Sequence, residues 1–124
     1  MKSVLLFLLL VSGFVFHGQG QVVKKGAFAT ATIKTPTVQC SDCKDRIEKY
    51  LSREDGITKV VVDYKRKITK VTYLTDRTTI ENIKTAIANA GYDADDVSAD
   101  TEAYKKLPNC CKKPEDGGGP VKKN

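Results

Sequence analysis

The chain is 124 residues long, with 21 Lys and Arg against 15 Asp and Glu and a formal net charge of +6 at pH 7. That length holds one compact domain with one core and excludes two. The basic surplus gathers at Lys24-Lys25, Lys112-Lys113 and Lys122-Lys123, runs without interleaved aromatics, which read as solvated ends and argue against a nucleic-acid surface.

The chain opens on Met1-Lys2 and the apolar run Val4 to Phe16, the charged start and short hydrophobic stretch of a secretory signal peptide. The run is too short to span a bilayer. Gly18 and Gly20 are small residues where a signal peptidase reads, so residues 1–20 are expected to be removed and the mature chain to start near Gln21. No cysteine follows the run, which argues against a lipoprotein. The expected product is exported, periplasmic or secreted, and meets the membrane only through its signal.

Residues 21–27 read as a leader. Phe28 to Thr35 alternates small or apolar residues with threonine, the period of a strand, and Pro36 ends it. Cys43, Ile47, Tyr50 and Leu51 then form a helical stripe with Ser41 as its expected N-cap. Beyond Gly56, Val60, Val62 and Tyr64 alternate as one strand and Val71 and Tyr73 as another, with Lys65-Arg66-Lys67 as the hairpin turn. Thr78-x-x-Glu81 is a capping box for a second helix whose Ile80, Ile83, Ile87 and Ala90 share a face, and Gly91 stands at its C-terminal cap. Tyr92 to Val97 is expected to be a last edge strand. The order is βαββαβ, so the expected fold is α+β and ferredoxin-like over residues 28–98, a four-stranded antiparallel sheet with two helices on one face. Residues 99–124 form an extension: a short helix at Thr101 to Leu107, the Cys110-Cys111 pair, and a tail from Pro114 to Pro120 with the composition of a disordered segment.

Four cysteines make two pairs, Cys40/Cys43 and Cys110/Cys111, and the single histidine, His17, and single methionine, Met1, fall within the signal. Thiolates are then the soft ligands of the mature chain. Cys40 falls in the loop after the first strand and Cys43 in the first helical turn, so both sulfurs can approach one ion from one side. The helix N-terminus favours thiolate over thiol. Lys44 and Arg46 add to that effect, and Asp42 and Asp45 oppose it. A disulfide is the default for an exported protein, but closing so short a loop gains little entropy. The competing functional reading is a thiol-disulfide exchange protein using the same C-x-x-C. No acid/base pair or phosphate loop accompanies the cysteines, and an enzyme is not expected. Two thiolates without histidine favour copper(I) or mercury(II), with zinc or cadmium behind them, and exclude calcium and magnesium. Cys110 and Cys111 are adjacent cysteines on a segment expected to be free of the core. They can form a vicinal disulfide, pair with other chains, or act as auxiliary ligands and thiol-exchange partners of the main site.

From about Phe28 to Val97 the chain resembles the heavy-metal-associated domains of copper chaperones, metal-pumping ATPases and periplasmic mercury-binding proteins. The resemblance rests on Cys40-Ser-Asp-Cys43 after the first strand, Gly56-Ile57-x-x-Val60-x-Val62, Val71-x-Tyr73, and Ala90-Gly91-Tyr92. It implies metal capture by Cys40 and Cys43, with Tyr92 packing against the site. It also implies transfer between a monomeric carrier and a metal-transporting membrane protein or another metal-binding domain. Family members usually carry Gly-Met ahead of the first cysteine's loop; here Thr37-Val38 stand there, and Val38 takes the place of the methionine that props the loop.

Overall fold

The computed structural model describes residues 27–119. The expected signal peptide, and the leader apart from Ala27, lie outside the described residues. Three strands build one sheet: β1 (Phe28–Lys34), β2 (Ile57–Asp63) and β3 (Ile68–Leu74), in the order β1-β3-β2. Every pairing is antiparallel, running from Phe28↔Leu74 to Lys34↔Ile68 on one side of β3 and from Ile57↔Tyr73 to Asp63↔Ile68 on the other. The β2–β3 turn falls at Lys65 to Lys67 as the sequence suggests. Asp63 organises it, its carboxylate accepting the backbone N–H groups of Lys65 and Arg66 at 3.1 and 3.0 Å.

Strand alternation sends Ala31, Ile33, Val62, Val71 and Tyr73 inward, where α1 (Ser41–Leu51) and α2 (Ile80–Asn89) cover one face of the sheet. Cys43, Ile47 and Leu51 recur every four residues and are completely buried, as are Ile83 and Ile87 within 1%. The opposite face is polar, with Thr30 and Thr72 sharing a hydrogen bond of 3.2 Å beside exposed Val61. β2 is an edge strand, and its outward N–H at Val62 is taken up by the Glu48 carboxylate of α1 at 3.0 Å.

Several local expectations are corrected. Cys40, not Ser41, is the N-cap of α1, with extended backbone and no side-chain capping bond. The cap of α2 is Thr79, not Thr78: its hydroxyl accepts from the Asn82 N–H at 3.2 Å. Tyr50 and Ile80 lie outside the core, 38% and 40% exposed, because each stands at the margin of its helical stripe.

The fourth strand is also corrected. Residues 92–97 form a tight turn closed by one bridge, Ala94↔Val97, with Asp95 in the left-handed region at φ 49°. The aspartates make turn chemistry in place of a ladder. Asp93 accepts the Ala99 N–H at 2.8 Å, and Lys84 holds Asp96 at 3.2 Å and Asp95 at 3.6 Å. The turn is hydrogen-bonded to the sheet at one residue of β1, where Asp95 N–H donates to the Lys34 carbonyl at 2.8 Å and its carboxylate accepts the Lys34 N–H at 2.7 Å.

The extension is folded onto the core instead of hanging free. Asp100 caps α3 (Thr101–Lys105) through the Ala103 N–H at 2.8 Å, and its own N–H reaches the Ala88 carbonyl of α2 at 2.9 Å. Gly91 (φ 104°) makes this approach feasible, since a Cβ there would stand 3.2 Å from the Ala103 carbonyl oxygen and from both Leu107 methyls. Leu107 and Cys111 join the hydrophobic core. Short 3₁₀ turns follow at Asn109–Cys111 and Pro114–Asp116. The Tyr104 hydroxyl pins them, donating to Asp116 and accepting the Lys113 N–H at 2.9 Å. The disordered-tail expectation for Pro114 onward is thereby corrected as far as Gly119. Gly118 packs so closely that a Cβ would come within 2.4 Å of the Lys112 carbonyl oxygen. Among the described residues no helix is long and apolar enough to cross a membrane.

Candidate metal centre

The loop from Thr35 to Cys40 carries the first ligand candidate and is fixed at both ends. Thr35 donates its N–H to the Lys67 carbonyl at 2.9 Å and shares a buried hydroxyl contact of 3.0 Å with Thr69. Val38, the expected prop, is wholly buried, and its carbonyl receives the Lys67 ammonium. Thr37 ties the loop to the turn after α2, its hydroxyl accepting the Asp93 N–H at 3.0 Å. Sequence reasoning missed the roles of Thr37 and Lys67, because neither belongs to a periodic pattern.

Cys40 and Cys43 stand as expected at the start of α1, with their sulfurs 3.4 Å apart. Cys40 is half-exposed and Cys43 is inaccessible. All four cysteines are free thiols in this structure. The extension adds what the sequence left open: Cys111 is buried in the same place, and the sulfurs of Cys40, Cys43 and Cys111 all lie within 4.8 Å of one another. Cys110 is half-buried, its sulfur within 4.8 Å of the Cys40 sulfur, 4.0 Å from the Cys111 sulfur and 3.7 Å from an Asp42 carboxylate oxygen.

Hydrogen bonding with Cys111 pushes the Cys43 thiol down to about 5, against the opposing effect of burial, with the Gln39 backbone and Cys40 adding to the shift. The same interaction raises Cys111, and burial raises it further. The pair thus draws its proton toward Cys111 and away from Cys43. Cys40 is raised, chiefly by burial. Tyr92 is fully buried beneath the cluster; burial first, then Cys111 and Cys43, raises its phenol. Its hydroxyl has no hydrogen-bond partner among the described residues.

An α+β sandwich with a thiol cluster at the first loop-helix junction is the architecture of small soft-metal-binding modules, and comparison with known proteins agrees. The heavy-metal-associated domain family matches residues 32–93, half of the chain, and the chain belongs to that family. The mercuric transport protein periplasmic component of Shewanella putrefaciens is 36% identical over 63 residues, covering 51% of this chain and 69% of that protein. The copper-exporting P-type ATPase of Staphylococcus aureus (strain Newman) is 32% identical over 68 residues, 55% of this chain but 8% of the ATPase. Among solved structures, oxidized MerP from Ralstonia metallidurans CH34 superposes with a TM-score of 0.53 at 31% identity, covering 55% of this chain and 94% of that one. None of these matches covers much more than half of the present chain.

Proposed function

We propose that the protein is an exported carrier of a soft metal ion, which takes copper(I) or mercury(II) on the thiolates of Cys40 and Cys43 and passes it on by ligand exchange. The observation that carries this reading is the asymmetry of the pair: a fully buried Cys43 at the start of a helix and, 3.4 Å away, a partly exposed Cys40. The buried sulfur anchors the ion and the exposed one yields to an incoming thiolate. Exchange through a transient extra ligand lets the ion change partners without ever being free. The recipient is a metal-transporting membrane protein or another metal-binding domain. The signal-like N-terminus and the periplasmic component among the relatives support export, and their names supply mercury and copper as the two cargoes. Zinc and cadmium fit less well, since zinc completes its shell with four ligands.

Native mass spectrometry of the reduced mature chain, with copper(I), mercury(II) and zinc offered together, tests this reading. One soft ion per chain is expected, and Cys43→Ser and Cys40→Ser should each weaken its binding under competition. Unchanged affinity in both variants would overturn the assignment. Turnover of a disulfide substrate without metal would establish the thiol-disulfide exchange reading in its place.

A further inference from the structure

Cys111 lies outside the matched region 32–93, yet the fold brings it to the C-x-x-C pair. We propose that Cys111 is a third metal ligand, and that the chain holds mercury(II) in a three-thiolate site of Cys40, Cys43 and Cys111. The inference rests on the soft-ion reading above and specifies its coordination.

Spacing favours three sulfurs over two. Taking the zinc–sulfur length of about 2.3 Å as the measure, a linear two-thiolate site separates its sulfurs by roughly 4.6 Å and a trigonal one by roughly 4.0 Å. Cys40 and Cys43 start at 3.4 Å, so trigonal binding asks for about half the opening that linear binding does. The third sulfur is already close, within 4.8 Å of both.

The position of Cys111 is built by the backbone and not merely reached by a tether. Leu107 is buried four residues before it, Gly91 admits the chain against α2, and Gly118 closes over the Lys112 carbonyl at a distance no Cβ tolerates. Tyr92 supplies an independent sign. Its buried hydroxyl, unpartnered among the described residues, lies against Cys43 and Cys111, where a pair of thiolates would accept its proton in a hydrogen bond.

Cys110 does not compete for this role. Its sulfur lies 4.0 Å from that of Cys111 and within 4.8 Å of that of Cys40, but it forms no close group with Cys43, the buried sulfur of the C-x-x-C pair. Charge selects the cargo: three thiolates, two of them buried, leave one net negative charge around a divalent ion and two around a monovalent one, and buried charge is costly. On binding, the thiols that are still protonated release their protons to water. Mercury(II) then gains three sulfur bonds as it sheds the ligands it arrived with.

The test uses the reduced full mature chain in thiol-free solution with a phosphine reductant. Mercury(II) is added to one equivalent, and coordination is read from mercury X-ray absorption and from the thiolate-to-mercury charge-transfer spectrum. Three sulfurs are expected in the wild type and in Cys110→Ser, where only Cys40, Cys43 and Cys111 remain. Cys111→Ala should keep one ion per chain but shift to two sulfurs. Two-sulfur coordination in the wild type, or three in a folded Cys111→Ala, would overturn the proposal. If Cys111→Ala does not fold, the sulfur count in Cys110→Ser decides. Failure of the wild type to bind mercury at all would instead remove the carrier reading on which the proposal stands.

Discussion

The phenol of Tyr92 is buried with no hydrogen-bond partner among the described residues, and a buried hydroxyl left in that state costs about 1 to 3 kcal/mol. Tyr92→Phe keeps the ring in the core and removes that cost. The metal-free variant is therefore expected to be more stable by about 1 kcal/mol, read as a higher urea midpoint at unchanged slope. A lower midpoint would mean that the hydroxyl already has a stabilising partner in the apo protein. At this scale the sequence was informative where the chemistry is local. Cys40 and Cys43 are three positions apart at a helix start, so their meeting follows from helix geometry alone. Cys111 was not legible in the same way. Its meeting with Cys43 depends on two close backbone approaches, at Gly91 and Gly118, and no periodic pattern records a close approach. The extension's glycines read as signs of disorder, and the structure uses Gly118 for tight packing.

Among elements, those whose apolar residues recur at helical spacing were read correctly in kind and nearly in extent. α1 and α2 bury Ile47 and Ile83 against the sheet, 0% and 1% exposed. Ile47→Ala and Ile83→Ala are each expected to cost about 2 to 5 kcal/mol, the lost transfer energy plus the cavity left behind. Chemical denaturation measures it, and an unmoved midpoint would contradict the packing. The caps were misplaced by one residue because Ser41 and Thr78 have suitable side chains, while backbone geometry, invisible in composition, assigns the role to Cys40 and Thr79. The fourth strand failed for a chemical reason. Tyr92 to Val97 has strand-like residues at its ends, but Asp93, Asp95 and Asp96 find partners in Ala99, Lys34 and Lys84 that a ladder would have denied them.

On the scale of the whole molecule, the domain and its extension share one core, with Leu107 and Cys111 packed among residues of the sheet and both long helices. The boundary drawn at residue 98 separates pieces of sequence but not of packing. The three-stranded sheet leaves β2 at an edge, and there Glu48 has a part unrelated to metal. By holding the Val62 N–H at 3.0 Å, it occupies a donor that a strand from another copy would otherwise use to extend the sheet. On the carrier reading proposed above, a chain that presents one thiol cluster to successive partners has reason to avoid stacking with itself through such an edge. Glu48→Ala should therefore leave metal stoichiometry intact while raising the concentration-dependent light scattering of the apo chain. Scattering indistinguishable from the wild type at high concentration would show that this single carboxylate is not what keeps neighbouring copies apart.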